Sequence, residues 1–165
     1  MNTKRLTFCA LLTAIALTIF MVEAQIPLPA PIPGLKLGLA NIVTVYAMFA
    51  LGPRDTLLIL ISRVFLGSLF AGGSTLPYSM AGGLLCYLCM LLLRKLLTMK
   101  QLWGCGAIGA IFHNIGQIGV AIAIAKTPQL IMYLPILLLT GVIAGTFTGF
   151  AAQFLVNRLD GRLKF

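Results

Sequence analysis

An all-α integral membrane protein is the fold class this sequence predicts, and three observations carry it. Hydrophobic residues make up 60% of the chain and charged residues only 9%, with a mean hydropathy of +1.05, whereas a soluble domain carries about 25% charged residues. The apolar residues fall into six runs separated by short polar breaks. The cations gather in alternate breaks, which is the charge pattern that orients membrane helices. At about 20 residues per spanning helix, six helices use most of the 165 residues. The chain therefore reads as one transmembrane domain, 1–165, of about six helices, with no soluble domain beside them.

The first span is expected from Leu6 to Ala24. Lys4 and Arg5 before it, and Val22-Glu23-Ala24 near its end, imitate a secretory signal. Leu6–Val22 is longer than a signal core of about 7–15 apolar residues, and five further spans follow, so an uncleaved first helix is expected. Four of the eight prolines then fall at every second position from Pro27 to Pro33. Each ring removes an N–H donor and drives the preceding residue toward extended geometry. This stretch reads as a stiff cap between two membrane helices.

The second span is expected from Leu35 to Leu51, followed by the turn Gly52-Pro53-Arg54-Asp55. The third runs from Thr56 to Phe70 and is broken by Ala71-Gly72-Gly73-Ser74. The fourth runs from Thr75 to Leu93, with Pro77 in its first turn, where proline is tolerated. A basic loop with Arg94, Lys95 and Lys100 leads to the fifth span, Leu102 to Ala125. The turn Lys126-Thr127-Pro128-Gln129 leads to the sixth, Leu130 to Val156, and a basic tail follows. Lys4, Arg5, Arg54, Arg94, Lys95, Lys100, Arg158, Arg162 and Lys164 fall on one side, against Lys36 and Lys126 on the other. That bias places both termini in the cytoplasm and the proline cap outside. The net charge of +9 is thus an orientation signal rather than a nucleic-acid footprint.

Polar residues inside the spans are the candidate site. Arg63 lies about nine residues past the cytoplasmic turn, roughly 13 Å at 1.5 Å per residue and near the middle of a hydrocarbon layer about 30 Å thick. An ionisable group at that depth is a functional candidate unless it bridges helices, here to Glu23. His113 and Gln117 are one helical turn apart, with Asn114 within about 100° of both. They read as a ligand-binding face or, alternatively, as polar glue between helices. Glu23 and Lys36 flank the proline cap, Asn41 follows, and Gly34 and Gly38 let backbone approach a ligand. Glu23, Lys36, Asn41, Arg63, His113, Asn114 and Gln117 are expected to converge in one outward-opening cavity. Its cations outnumber its acid, which favours an anionic or strongly polar head group held between apolar walls.

Small residues at four-residue spacing recur at Gly141, Gly145 and Gly149, and at Ala10 and Ala14. Either row is internal packing or a docking face for another membrane protein. Cys86 and Cys89 form a CxxC within an apolar run without further ligands, so packing is expected rather than metal or redox chemistry. One histidine and three acids, Glu23, Asp55 and Asp160, do not build a metal site or a Mg²⁺-diphosphate site. No Walker-type loop and no Ser/His/Asp set is present, so no catalytic residue and no cofactor is expected in this chain.

The stretch PIPGLKLGLANIVTVYA, the segment RVFLGSLFAGG, the following YSMAGGLL and the HNIGQ motif resemble the Gx transporter family. Many of its members carry the name heptaprenyl diphosphate synthase component I. The resemblance covers nearly the whole chain. The family is similar in size and layout to the S-components of energy-coupling factor (ECF) importers. These are six-helix proteins that hold a vitamin-like solute near the outer face and dock on a T-component with two ATPases. The resemblance implies a multi-pass protein of a bacterial cytoplasmic membrane, partner subunits that use ATP, and docking through an AxxxA step that Ala10 and Ala14 match. It also implies release of the solute by motion of the cap or toppling of the bundle. Trans-prenyl diphosphate synthases need two aspartate-rich motifs, and this chain has two aspartates in all. It therefore reads as a non-enzymatic, substrate-binding importer subunit. The alternatives are a noncatalytic membrane accessory of polyprenyl diphosphate or quinone synthesis and a purely structural subunit.

Overall fold

The computed structural model describes residues 3–26, 36–71 and 73–159. The expectations for Pro27–Pro33, Gly34, Asp160, Arg162 and Lys164 lie outside the described residues. Six α-helices form one bundle: α1 (Thr3–Glu23), α2 (Asn41–Ala50), α3 (Pro53–Phe70), α4 (Leu76–Leu93), α5 (Leu102–Ala125) and α6 (Leu134–Leu159). Short 3₁₀ turns at Met99–Gln101 and Pro128–Tyr133 precede α5 and α6, and the described residues contain no strand.

Local chemistry sets the ends. Gly52 (φ 100°) turns the chain into α3, whose first residue is Pro53, where the missing N–H is not needed. Pro77 and Pro135 sit equally early in α4 and α6. The sixth helix begins later than the expected Leu130, because the chain from Pro128 first makes a 3₁₀ segment. Lys126 closes α5 in a left-handed conformation (φ 51°).

Among the described residues, four segments are long and apolar enough to cross a membrane: α1, α4, α5 and Pro128–Leu159. The chain is thus a helical membrane protein. The expected second span is much shorter than the run Leu35–Leu51. Residues 36–40 are not helical, Gly38 takes φ 81°, and α2 has 10 residues, about 15 Å of rise. The third helix is long enough but carries Arg54, Asp55 and Arg63 within its 18 residues.

The short α2 is the centre of the bundle. Asn41 and every residue from Val43 to Phe49 are buried, as expected for a helix apolar on all sides. It is surrounded by the other five helices. Ile59, Leu60, Met90 and Leu102 fill the core around it, and its own Met48 is fully buried among them. The outer face of α6 presents Leu139, Ile143, Phe147, Phe150 and Phe154 as an exposed apolar stripe suited to lipid.

Because lipid is as apolar as a leucine side chain, close backbone approach rather than transfer from water holds such helices together. The tightest seam joins α5 to α6. A Cβ on Gly106 would lie 2.7 Å from the Gly149 Cα, and one on Gly145 would lie 2.6 Å from the Ala110 Cβ. A Cβ on Gly149 would meet the Trp103 Cα at 2.6 Å. The glycine row of α6 therefore turns inward, toward α5. On the α1–α3 side, Arg5 Nε donates to Asp55 Oδ2 at 2.5 Å and Arg5 Nη2 to the Leu51 carbonyl at 2.9 Å.

Candidate functional site

Four helices and the connection into α2 bring polar groups to one small cavity. From α1 come Glu23, its last residue, and Phe20, three residues earlier on the same face. The connection supplies Lys36 and Gly38, and α3 supplies Arg63 and Val64. Ser79 stands on the α4 wall, with His113 and Gln117 on α5. A close crossing of α4 and α5 positions the last two: a Cβ on Gly116 would lie 2.8 Å from the Gly82 Cα, and one on Gly82 would lie 2.8 Å from the His113 carbonyl. The cavity volume is about 10 Å³, room for roughly one water molecule.

Glu23, Arg63, His113 and Gln117 are each no more than 5% exposed. Glu23 Oε1 accepts the Gly38 N–H at 2.5 Å, and Gln117 Oε1 accepts the Lys36 N–H at 3.4 Å. These two bonds tie residues 36–38 across the cavity to α1 and α5. Lys36 Nζ sits 3.2 Å from the centroid of the Phe20 ring. Gly38 is hemmed in as well as left-handed, since a Cβ there would lie 2.8 Å from Asn41 Nδ2 and 3.1 Å from His113 Cδ2.

Several buried polar atoms in this cluster have no hydrogen-bond partner: Lys36 Nζ, Arg63 Nε, His113 Nδ1, Gln117 Nε2 and both side-chain heteroatoms of Asn41. Among the described residues the ion pair is Arg5–Asp55, and Glu23 closes no direct pair with Lys36 or Arg63. The cavity thus gathers two cations and one acid whose charges face one another across a gap. Unpartnered donors in an apolar surround are costly, and an acceptor placed among them would satisfy several at once.

Of the residues expected to converge, Glu23, Lys36, Arg63, His113 and Gln117 share the cavity wall, and Asn41 stands beside it against Gly38. Asn114 does not join them. Its Nδ2 donates to the Leu137 carbonyl on α6 at 2.5 Å, and it packs against Gly141. Phe20 and Ser79 are wall residues that the pattern of polar residues did not single out. The three-residue step from Phe20 to Glu23 was the available signal for the first; Ser79 in an apolar run left none. Ala10 and Ala14 are exposed on α1 and line a surface groove with Leu58, Ser62 and Leu66 of α3.

All four cysteines are free and buried, with Cys86 Sγ 4.0 Å from Met90 Sδ. Among the described residues no three His, Cys, Asp or Glu side chains come close enough to hold a metal.

No curated protein and no solved structure matches the chain. A profile of the family described as heptaprenyl diphosphate synthase component I matches residues 12–155. That match takes in five of the six helices almost whole and every residue of the cavity, so the chain belongs to the heptaprenyl diphosphate synthase component I family.

Proposed function

We propose that this protein is the substrate-binding membrane subunit of an ECF-type importer, taking a small anionic or amphipathic solute such as a vitamin-like acid or a quinone or isoprenoid precursor. The observation that carries this reading is the buried cluster itself. Side chains from α3, α5 and the connection into α2 bring unpartnered polar atoms to one cavity inside a lipid-facing bundle, with the Glu23 carboxylate of α1 beside them. Ionisable residues placed so within a membrane protein mark substrate pathways by default. The solute's polar head would sit among Lys36, Arg63, His113, Gln117 and Asn41, with Glu23 opposite. Phe20 and Val64 would meet its apolar part. The water-sized cavity opens when residues 36–38 lift away from Glu23 and Gln117. The chain has no nucleotide-binding loop, so a T-component and ATPase partners in a bacterial cytoplasmic membrane would supply the energy.

The family name favours a second reading, a noncatalytic membrane accessory of heptaprenyl or polyprenyl diphosphate synthesis that works beside a catalytic subunit. A mild-detergent pull-down from native membranes, with mass spectrometry of proteins and of small molecules released on denaturation, separates the two. Recovery of a T-component with ABC-type ATPases supports the importer. Recovery of an aspartate-rich prenyltransferase without ATPases replaces it with the accessory reading.

A further inference from the structure

We propose that the cavity selects a head group with a single negative charge, and that Glu23 sets this limit. The inference rests on the reading of the cavity as a solute site. Its basis is a charge count joined to a donor count. Lys36 and Arg63 contribute two positive charges, Glu23 one negative charge, and histidine is ordinarily neutral at pH 7. One positive charge is left without a counter-charge, and no direct ion pair joins Glu23 to either cation. Lys36 Nζ, Arg63 Nε and Gln117 Nε2 are donor-only atoms, buried and unpartnered. One Glu23 oxygen is already engaged by the Gly38 N–H. The cluster therefore lacks an acceptor carrying one negative charge.

A neutral hydroxyl would meet some of the donors but leave the positive charge buried. A dianion would overshoot, leaving the cluster with one net negative charge. A carboxylate or a monoanionic phosphodiester matches both counts, and charge-assisted bonds to Arg63 and Lys36 are the strong kind. Glu23 belongs to the site as a selector. Its carboxylate repels a second charge on the solute while it holds the segment bearing Lys36 in place.

The test uses the full chain in lipid nanodiscs at pH 8 and three probes of six carbons each: hexanoate, hexyl phosphate and hexan-1-ol. Alkyl phosphate is close to dianionic there, its second pKa being about 6. Hexanoate is expected to bind about tenfold or more tighter than either other probe, the scale of one modest charge interaction. Glu23→Gln, which keeps an oxygen for the Gly38 N–H, is expected to move the preference to hexyl phosphate. Lys36→Met, which keeps an unbranched stem over Phe20, is expected to erase the advantage of hexanoate over hexan-1-ol. An unchanged ranking in folded Glu23→Gln protein overturns the inference, as does equal binding of the three probes or binding of none. A pull-down without ATPases would remove the importer reading and leave a measured charge ranking standing. ATPases recovered with a protein blind to head-group charge would remove only the inference.

Discussion

Lys36 Nζ lies 3.2 Å from the centroid of the Phe20 ring, so a cation from the connection into α2 is seated on an aromatic face of α1. The ring also fills the space over Gly67 of α3, where an added Cβ would meet Phe20 Cε1 at 3.1 Å. Desolvated cation–π pairs are worth about 2 kcal/mol. Phe20→Leu is expected to lower stability by that amount or more, read as a fall in thermal midpoint in detergent. The cycle with Lys36→Met isolates the pair; if the two losses simply add, the ring contributes packing alone.

Asn114 and His113 are neighbours in sequence with different work to do. Asn114 hydrogen-bonds the Leu137 carbonyl and packs on Gly141, while His113 faces the cavity. Interhelical bonds of this kind average about 0.6 kcal/mol in membranes, with about 1–2 at most. Asn114→Ala is therefore expected to cost about 1 kcal/mol of stability and leave solute binding intact. His113→Ala and Gln117→Ala are expected to weaken binding with smaller effects on the melt. The check is ligand retention through denaturing mass spectrometry beside the melting curve of each variant.

The contrast marks how far the sequence could be read. Helical spacing places Asn114 within about 100° of both His113 and Gln117, and that angle is wide enough to reach a different neighbour. Which neighbour depends on the α5–α6 seam, a long-range contact that no local pattern encodes. Arg63, by contrast, was legible because a buried cation in a membrane helix must face the bundle interior. The helices α4 and α5 were legible to within a residue because long apolar runs end at strong breakers. The shortness of α2 was not, since hydropathy does not register that residues 37–40 are apolar yet not helical, turning at a left-handed Gly38. For Phe20 the three-residue step to Glu23 was the one signal, since one aromatic in an apolar helix otherwise looks the same facing lipid or facing a lysine.

Glycines on the α5–α6 seam differ from glycines on the lipid face. A Cβ on Gly106 or Gly145 meets backbone or a Cβ at distances no real Cβ adopts, whereas Gly104 and Gly119 have nothing within 4 Å. Backbone cannot swing aside as a side chain does. Gly106→Ala and Gly145→Ala are expected to cost about 1–3 kcal/mol or more through overpacking. Gly104→Ala and Gly119→Ala are expected to be neutral or to stabilise by up to about 1 kcal/mol through helix propensity. Unfolding in a graded detergent mixture measures all four, and equal losses would contradict the seam.

Arg5 reaches Asp55 at 2.5 Å and the Leu51 carbonyl at 2.9 Å, linking α1 to the start of α3. The Asp55 side chain is 9% exposed and that of Arg5 39%. Solvent around Arg5 keeps the pair near the low end for a charge-assisted bond, about 1 kcal/mol. Asp55→Asn is expected to lose that much, and Arg5→Met added to it should cost further only the bond to the Leu51 carbonyl. A strictly additive double variant would show that the two residues act separately.

Ala10 and Ala14 lie exposed along α1, one turn apart, where the α1–α3 surface is grooved. Their small side chains leave the helix backbone open to close approach, which is how membrane helices associate. Within the importer reading this groove receives the energising partner. Leucine at both positions would fill the groove while keeping helix propensity and apolar character. Ala10→Leu/Ala14→Leu is therefore expected to leave the thermal midpoint and solute binding near those of the parent. It should reduce co-purification of the T-component by about tenfold or more, the effect of losing roughly 1.4 kcal/mol of association. Undiminished co-purification would place the docking face elsewhere on the bundle, with the exposed stripe of α6 at Leu139, Ile143 and Phe147 the next surface to substitute.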